Sequence, residues 1–142
     1  MIINKDLIIQ DNDINLENLV KGSLGTQLWY NYNHTSDFSS QDIILNLVPY
    51  TKFLIVYKSA KSENIIESKF FWKGNSYELK RAWNSGNGMV CQAYRWMSVY
   101  NNKISFGGGT AVREQGYESS RDDVIIPLAI IAYKEPVFDT WN

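Results

Sequence analysis

Apolar and polar residues alternate along much of this chain, in short runs that end at turn residues. Gln41–Val48, "QDIILNLV", alternates with a period close to two, and Tyr50–Lys58, "YTKFLIVYK", is a run of β-branched and aromatic residues. Comparable runs recur at a spacing of roughly ten residues, with Gly, Asn, Ser or Lys between them. The pattern predicts an all-β chain whose antiparallel strands form a sandwich or a barrel.

Turn residues divide these runs further. Gly74 and Asn75 split "SKFFWKGNSYELKRAW" into two segments that are predicted to form a hairpin. A second hairpin is predicted where "MVCQAYRWMSVY" is followed by "NNK" and "ISF", and "GGGT", residues 107–110, is predicted to open a loop. Residues 13–22, "DINLENLVKG", fit a short helix ending at Gly22 as well as a strand or an extended arm.

The most apolar run, "VIIPLAIIAYK" at Val124–Lys134, has aliphatic residues in both alternating sets, so both faces of this strand must be covered. Pro127 has no N–H for the ladder, which places the strand at a sheet edge or a bulge. An apolar edge favours a second copy of the chain as the cover, with cover from within the same domain as the alternative. Arg95, on an otherwise apolar strand face, needs a carboxylate, a carbonyl or an interchain partner. The candidate interface residues are Ile126, Leu128, Ile130 and Arg95.

Composition excludes several classes of partner. The chain has 142 residues, enough for one domain with its own core, and a net charge of −1 from 14 basic and 15 acidic residues, so nucleic acid is not a predicted partner. Cys91 is the single cysteine and is predicted to be buried. No apolar run approaches the roughly 18 residues that span a bilayer, and the start is unlike a signal peptide, so membrane insertion and secretion are not predicted.

The search for catalytic chemistry gives weak candidates only. His34, the one histidine, lies in a polar, turn-like stretch. Asp122 and Asp123, with Glu114 and Glu118 nearby, would be the carboxylates of a hydrolase, but a solvated loop explains them better. The "GGGT" glycines lack the lysine of a phosphate loop and fit a tight bend or a close approach of chains. The sequence therefore predicts a protein that is not an enzyme, with no catalytic residue, metal or cofactor.

Aromatic residues are frequent, with 5 Trp, 9 Tyr and 6 Phe, and many flank polar turns. An indole or phenol ring can pack against a sugar ring while its N–H or O–H keeps a hydrogen bond. A place in the core or in an interface remains the alternative for each of them. Trp83, between "KRA" and "NSGNG", is the one least expected in a core. The candidate glycan contacts are Trp72, Trp83, Tyr117 and Arg113.

Three long segments of the chain resemble the small β-sandwich domains of phage minor structural, tail-fibre and receptor-binding proteins. They are "LWYNYNHTSDFSSQDIILNLVPYTKFLIVYKSAKSEN", "YRWMSVYNNKISFGGGTAV" and "DDVIIPLAIIAYK", and the match runs from about Leu28 to Lys134. The resemblance implies an antiparallel, jelly-roll-like β-sandwich over 28–142, after an N-terminal arm or attachment segment over 1–27. It further implies a homotrimer on the virion, in contact with other virion proteins. We expect no long fibrous shaft of the kind that such proteins carry, so a head-fibre or decoration subunit, or a small baseplate or collar piece, fits as well as a tail fibre.

Two functions from different classes follow. The first is a virion structural protein that attaches to host-surface glycan, with weak sites made effective by many copies. It would be made in the host cytoplasm without a signal peptide. The second is a free-standing carbohydrate-binding module or lectin. A hydrolase that uses Asp122 and Asp123 is a third, weaker alternative.

Overall fold

The computed structural model describes residues 25–84, 90–113 and 116–134, which form β-strands joined by turns and loops, without an α-helix. The open question of helix or strand at 13–22 lies outside these residues, as does most of the predicted arm over 1–27. The described strands are β1 (Thr26–Tyr30), β2 (Gln41–Ile44), β3 (Lys52–Ala60), β4 (Ile66–Trp72), β5 (Ser76–Asn84), β6 (Val90–Val99), β7 (Lys103–Val112), β8 (Glu118–Ser120) and β9 (Val124–Tyr133). β1 therefore begins within the range predicted as the arm.

The strands form two antiparallel sheets. One has four strands in the order β1-β9-β3-β4, and the other has five strands, β2-β7-β6-β5 with β8 beside β7. β2 pairs with the first half of β7 and β8 with its second half. Inner-facing side chains of both sheets share one apolar core, which includes Phe53, Ile55, Leu79, Met97 and Phe106. The prediction of an all-β chain is confirmed, and the two packed sheets are consistent with a sandwich rather than a closed barrel.

The apolar strand β9 lies in the interior of the four-stranded sheet, between β1 and β3. The prediction of an edge strand is therefore wrong. The alternative of a bulge is right, because the register between β3 and β9 shifts where Val56 and Tyr57 face Ala129 and Pro127. Ile125 also departs from regular strand geometry, with a φ of 51° that is uncommon for a β-branched residue. These irregularities accommodate a run in which apolar residues do not alternate with polar ones.

Both faces of β9 are covered, as predicted, but the cover comes from within one chain. Ile126 and Ile130 belong to the core between the sheets, and Leu128 belongs to a second apolar cluster with Tyr30 and Val56. Ile126, Leu128 and Ile130 each have 0% of their surface exposed in the single chain. A side chain with no accessible surface cannot contact a partner subunit. The assignment of these three residues to an interface is therefore corrected: they are core residues.

Arg95 is also buried within the chain, with 0% exposure, so its assignment to an interface is corrected as well. Its guanidinium donates to the carbonyl oxygens of Ile125 at 2.8 Å, Val124 at 3.0 Å and Gly107 at 2.6 Å. Burial lowers the pKa of Arg95 to about 10, which still leaves it charged at neutral pH. The predicted carbonyl partners are confirmed, and they tie β6 of one sheet to β9 of the other.

The turn predictions are right in part. Gly74 has a φ of 93°, as the turn requires, but β4 and β5 belong to different sheets, so this turn crosses the sandwich instead of closing a hairpin. β6 and β7 do form the second predicted hairpin. "GGGT" lies within β7 and not in a loop, and β8 follows where the loop was expected. A Cβ on Gly109 would clash with the Arg121 carbonyl oxygen, so two backbone segments of this one chain approach closely at the glycine.

Candidate functional site

A cleft of about 880 Å³ opens at one end of the sandwich, where β3, β5 and β7 end and β6 and β9 begin. Its size is within the range of small-ligand sites. Small side chains leave this space between the sheets, because Ala93 pairs with Ala111 and Cys91 pairs with Trp83 at inner-facing positions. Cys91 is buried, as predicted. The charged and large aromatic side chains that line the cleft are Glu63, Arg81, Trp83, Arg113, Tyr117, Arg121 and Asp123.

Three of the four predicted glycan contacts lie together in this cleft. Trp83 is an inner-facing residue near the end of β5, beyond the filled part of the core, and 43% of its surface is exposed. Tyr117 is 70% exposed and lies on the turn between β7 and β8. Arg113 lies on the same turn, where its backbone N–H donates to the Tyr117 carbonyl at 2.8 Å. The cleft thus combines two exposed aromatic rings with a guanidinium.

Trp72, the fourth predicted contact, lies at the opposite end of the molecule. It pairs with Lys52 at the start of β3, whereas the cleft adjoins Ala60 at the end of that strand. Its backbone N–H and carbonyl both bond the Tyr77 hydroxyl, at 3.3 Å and 3.0 Å. Trp72 is therefore not part of the cleft.

Ion pairs at the cleft were not anticipated from the sequence. Arg81 on β5 donates to Glu67 on β4 at 3.2 Å, which links the two sheets. The Tyr57 hydroxyl donates to the same carboxylate at 2.9 Å, and burial followed by this bond raises the pKa of Tyr57. The cross-sheet pair depends on which strand ends meet, and no local pattern in the sequence indicates that.

A second ion pair lies at the rim. Arg121 donates through Nε and Nη2 to the two oxygens of Asp123, at 2.7 Å and 2.6 Å. These bonds hold the pKa of Asp123 below its usual range and raise that of Arg121. Arg121 and Asp123 lie two residues apart around a tight turn, and this spacing is the signal in the sequence for such a pair.

The proposed hydrolase carboxylates are engaged in structural bonds. Asp122 accepts from the Gly109 N–H at 3.1 Å, Asp123 is held by Arg121, and Glu118 accepts from the Tyr94 hydroxyl at 2.7 Å. Glu114 lies outside the described residues. The three of these carboxylates that the structure describes therefore each accept a hydrogen bond from within the protein.

His34 lies in a turn, as predicted, but its side chain is buried. Its Nδ1 lies 3.1 Å from Nζ of Lys58, which also donates to the His34 and Lys61 carbonyls, each at 3.2 Å. Neither residue lines the cleft. Among the residues that the structure describes, no group of three or more metal-ligating side chains comes together.

Comparison with known proteins adds no relative: no protein-family model, characterised protein or solved structure matches this chain. Within the described ranges, no helix is long and apolar enough to cross a membrane.

Proposed function

We propose that this protein binds carbohydrate in the end cleft and serves host-surface attachment as a subunit of a phage appendage. One observation carries the binding function: Trp83 and Tyr117 present exposed rings in a cleft that also contains arginine and carboxylate side chains. Sugar rings have an apolar face and a rim of hydroxyl groups. Aromatic rings pack against the apolar face, and charged or polar groups form hydrogen bonds with the hydroxyl groups.

The polar groups of the cleft are already oriented for this task. Arg81 and Arg121 are held by their carboxylate partners, and the Glu63 carboxylate accepts from the Ser59 hydroxyl at 2.6 Å. Side chains that are fixed before a ligand arrives lose little conformational entropy on binding. A site of this kind binds weakly by itself, and several copies on one particle would raise the avidity.

The phage setting rests on the resemblance of the three quoted segments. The resemblance implies a jelly-roll-like topology and a homotrimer. It also implies contacts with other virion proteins in a tail fibre, head fibre or decoration. Because β9 and Arg95 are enclosed within one chain, the trimer contacts would lie on other surfaces. Exposed aromatic residues that remain available outside the cleft include Trp72, Trp96 and Tyr100.

A free-standing carbohydrate-binding module is the second candidate. The enclosure of β9 within one chain favours this candidate, because the strand that was predicted to need a partner chain is covered without one. Both candidates use the same cleft and differ in the oligomeric state.

The cleft is tested by replacing Trp83 with Ala and screening wild type and variant on a glycan array of bacterial-surface oligosaccharides, followed by titration calorimetry with the strongest wild-type hit. We expect Trp83→Ala to weaken binding roughly 5- to 30-fold, which corresponds to one or two kcal/mol. The melting temperature should change little, since the ring is 43% exposed.

Trp96→Ala is the matched control. Trp96 is 52% exposed on β6, outside the cleft, so its loss removes a similar area of aromatic surface without altering the site. Wild-type affinity in Trp83→Ala, or an equal loss in both variants, would contradict the cleft as the binding site. A large fall in melting temperature for Trp83→Ala alone would make Trp83 a core residue.

A further inference from the structure

We infer that the cleft selects anionic saccharides, sugars that carry a carboxylate or a phosphate, and that Arg113 contacts the charged group. This inference rests on the proposed carbohydrate-binding function and names its ligand class. It follows from which charged side chains of the cleft already have an ion-pair partner within the protein and which do not.

Two of the three lining arginines are neutralised within the protein. Arg81 is paired with Glu67 at 3.2 Å, and Arg121 makes a bidentate pair with Asp123. The Arg81 pair engages one N–H donor and the Arg121 pair engages two, so the remaining N–H groups can still donate to sugar hydroxyls, but the charge of each guanidinium is already compensated. These two side chains shape the cleft, but a ligand anion would have to compete with a carboxylate already in place.

Arg113 differs from both. It is exposed, it follows directly after β7, and within residues 25–84, 90–113 and 116–134 no carboxylate forms an ion pair with it. Its backbone is fixed at both ends of the turn: its N–H donates to Tyr117, and its carbonyl accepts from the Gly116 N–H at 3.0 Å. Gly116 has a φ of 82°, which favours glycine at this position. The turn thus presents a cation from a defined point of the rim.

The opposite wall has the opposite charge. Glu63, in the connection after β3, lines the cleft from the four-stranded sheet, whereas Arg113 lines it from the five-stranded sheet. The Glu63 carboxylate would accept hydroxyl groups and repel an anion. A saccharide with one charged substituent is therefore expected to bind in one orientation, with the substituent toward Arg113. The planar fork of a guanidinium matches carboxylate and phosphate oxygens alike.

The test uses the full chain and three probes: a trigalacturonate, its trimethyl ester and galactose 6-phosphate. The acid and the ester share the same rings and differ in charge, and the sugar phosphate represents the phosphate source. We expect the acid to bind at least about tenfold more tightly than the ester, as a charge-assisted hydrogen bond supplies. Added salt should weaken binding of the acid and leave the ester unchanged.

Arg113→Gln should abolish the difference between acid and ester, because it keeps a polar side chain and removes the charge. Lys103→Gln is the control. It removes the same charge at the other end of β7, roughly 30 Å away at about 3.3 Å per residue, and breaks a partly exposed pair with Asp42 and a cation–π contact with Tyr100. The acid preference should persist in this variant.

The remaining outcomes distinguish the anionic ligand class from carbohydrate binding in general. Equal binding of acid and ester, or Trp83-dependent binding of neutral glycans alone, would overturn the anionic ligand and leave carbohydrate binding in place. An acid preference that survives in Arg113→Gln would overturn the role of Arg113. Binding of galactose 6-phosphate in an Arg113-dependent manner would support the anionic class with phosphate as the group recognised. If no saccharide binds at all, both proposals fail.

Discussion

Arg95 shows how one buried charged residue organises this molecule. Its guanidinium binds the carbonyls of Val124 and Ile125, at the point where Ile125 takes up a φ of 51°. A β-branched residue in the left-handed region is strained and needs surrounding contacts to hold it there. The Arg95 bonds supply such contacts, and the Gly107 carbonyl accepts from the same group at the bulge of β7. The buried Arg95 guanidinium therefore has a structural role: it holds these carbonyl groups in place.

Replacing Arg95 by Met tests this role. The variant keeps most of the side-chain volume but leaves three carbonyls without their donor, and an unsatisfied buried group costs about 1–3 kcal/mol. We expect the free energy of unfolding in urea to fall by roughly 3 kcal/mol or more. Arg113→Met, at an exposed position, should change it by less than about 0.5 kcal/mol. Equal stability of the two variants would show that the Arg95 network contributes nothing.

At the scale of elements, the existence of strands could be predicted from the sequence, and their partners could not. "YTKFLIVYK" predicts β3 because its β-branched and aromatic residues favour extended backbone. Gly74 predicts a turn, but a local signal cannot indicate that the next strand joins the other sheet. For β9, the unbroken apolar run indicates that both faces are covered. It does not indicate whether one chain or two chains supply the cover.

The same limit applies to the cleft. Trp83, Tyr117 and Arg113 could be predicted because aromatic and cationic residues beside polar turns are suited to ligands. Trp72 has the same local character, and only the fold separates it from the others. The small residues that create the space, such as Ala93, give no signal, because a cleft forms where sheet ends meet and not where one segment is unusual.

The enclosure of β9 gives a prediction for the element. Ile130→Ala should lower the free energy of unfolding by about 2–5 kcal/mol, the usual cost of truncating a buried aliphatic residue. Ile44→Ala, the same change at a residue that is 72% exposed, should cost less than about 0.5 kcal/mol.

The loss in Ile130→Ala should be the same over a wide range of protein concentration. Burial within one chain is independent of concentration, whereas an interface would make the unfolding midpoint rise with it. A midpoint that rises with concentration in wild type and loses that dependence in Ile130→Ala would restore the interface interpretation of β9.

For the whole molecule, we expect folding not to require assembly, because the core between the sheets and the cover of β9 are complete in one chain. A protein whose subunits share a core unfolds when they separate. Here we expect any trimer to dissociate into folded subunits that retain the cleft. The particle role would then depend on surface contacts that strengthen many weak glycan sites, and the sites themselves would work in the isolated subunit.

Sedimentation velocity combined with circular dichroism on a dilution series measures this directly. The phage appendage hypothesis predicts a mass of three chains at high concentration and, on dilution, a single chain with an unchanged β-sheet spectrum. Loss of the spectrum together with the trimer would mean that the subunit is not self-sufficient, contrary to the burial of Ile126 and Ile130. A single chain at every concentration that still binds glycan through Trp83 would favour the free-standing module, since a trimer is the feature that the phage resemblance adds to the cleft.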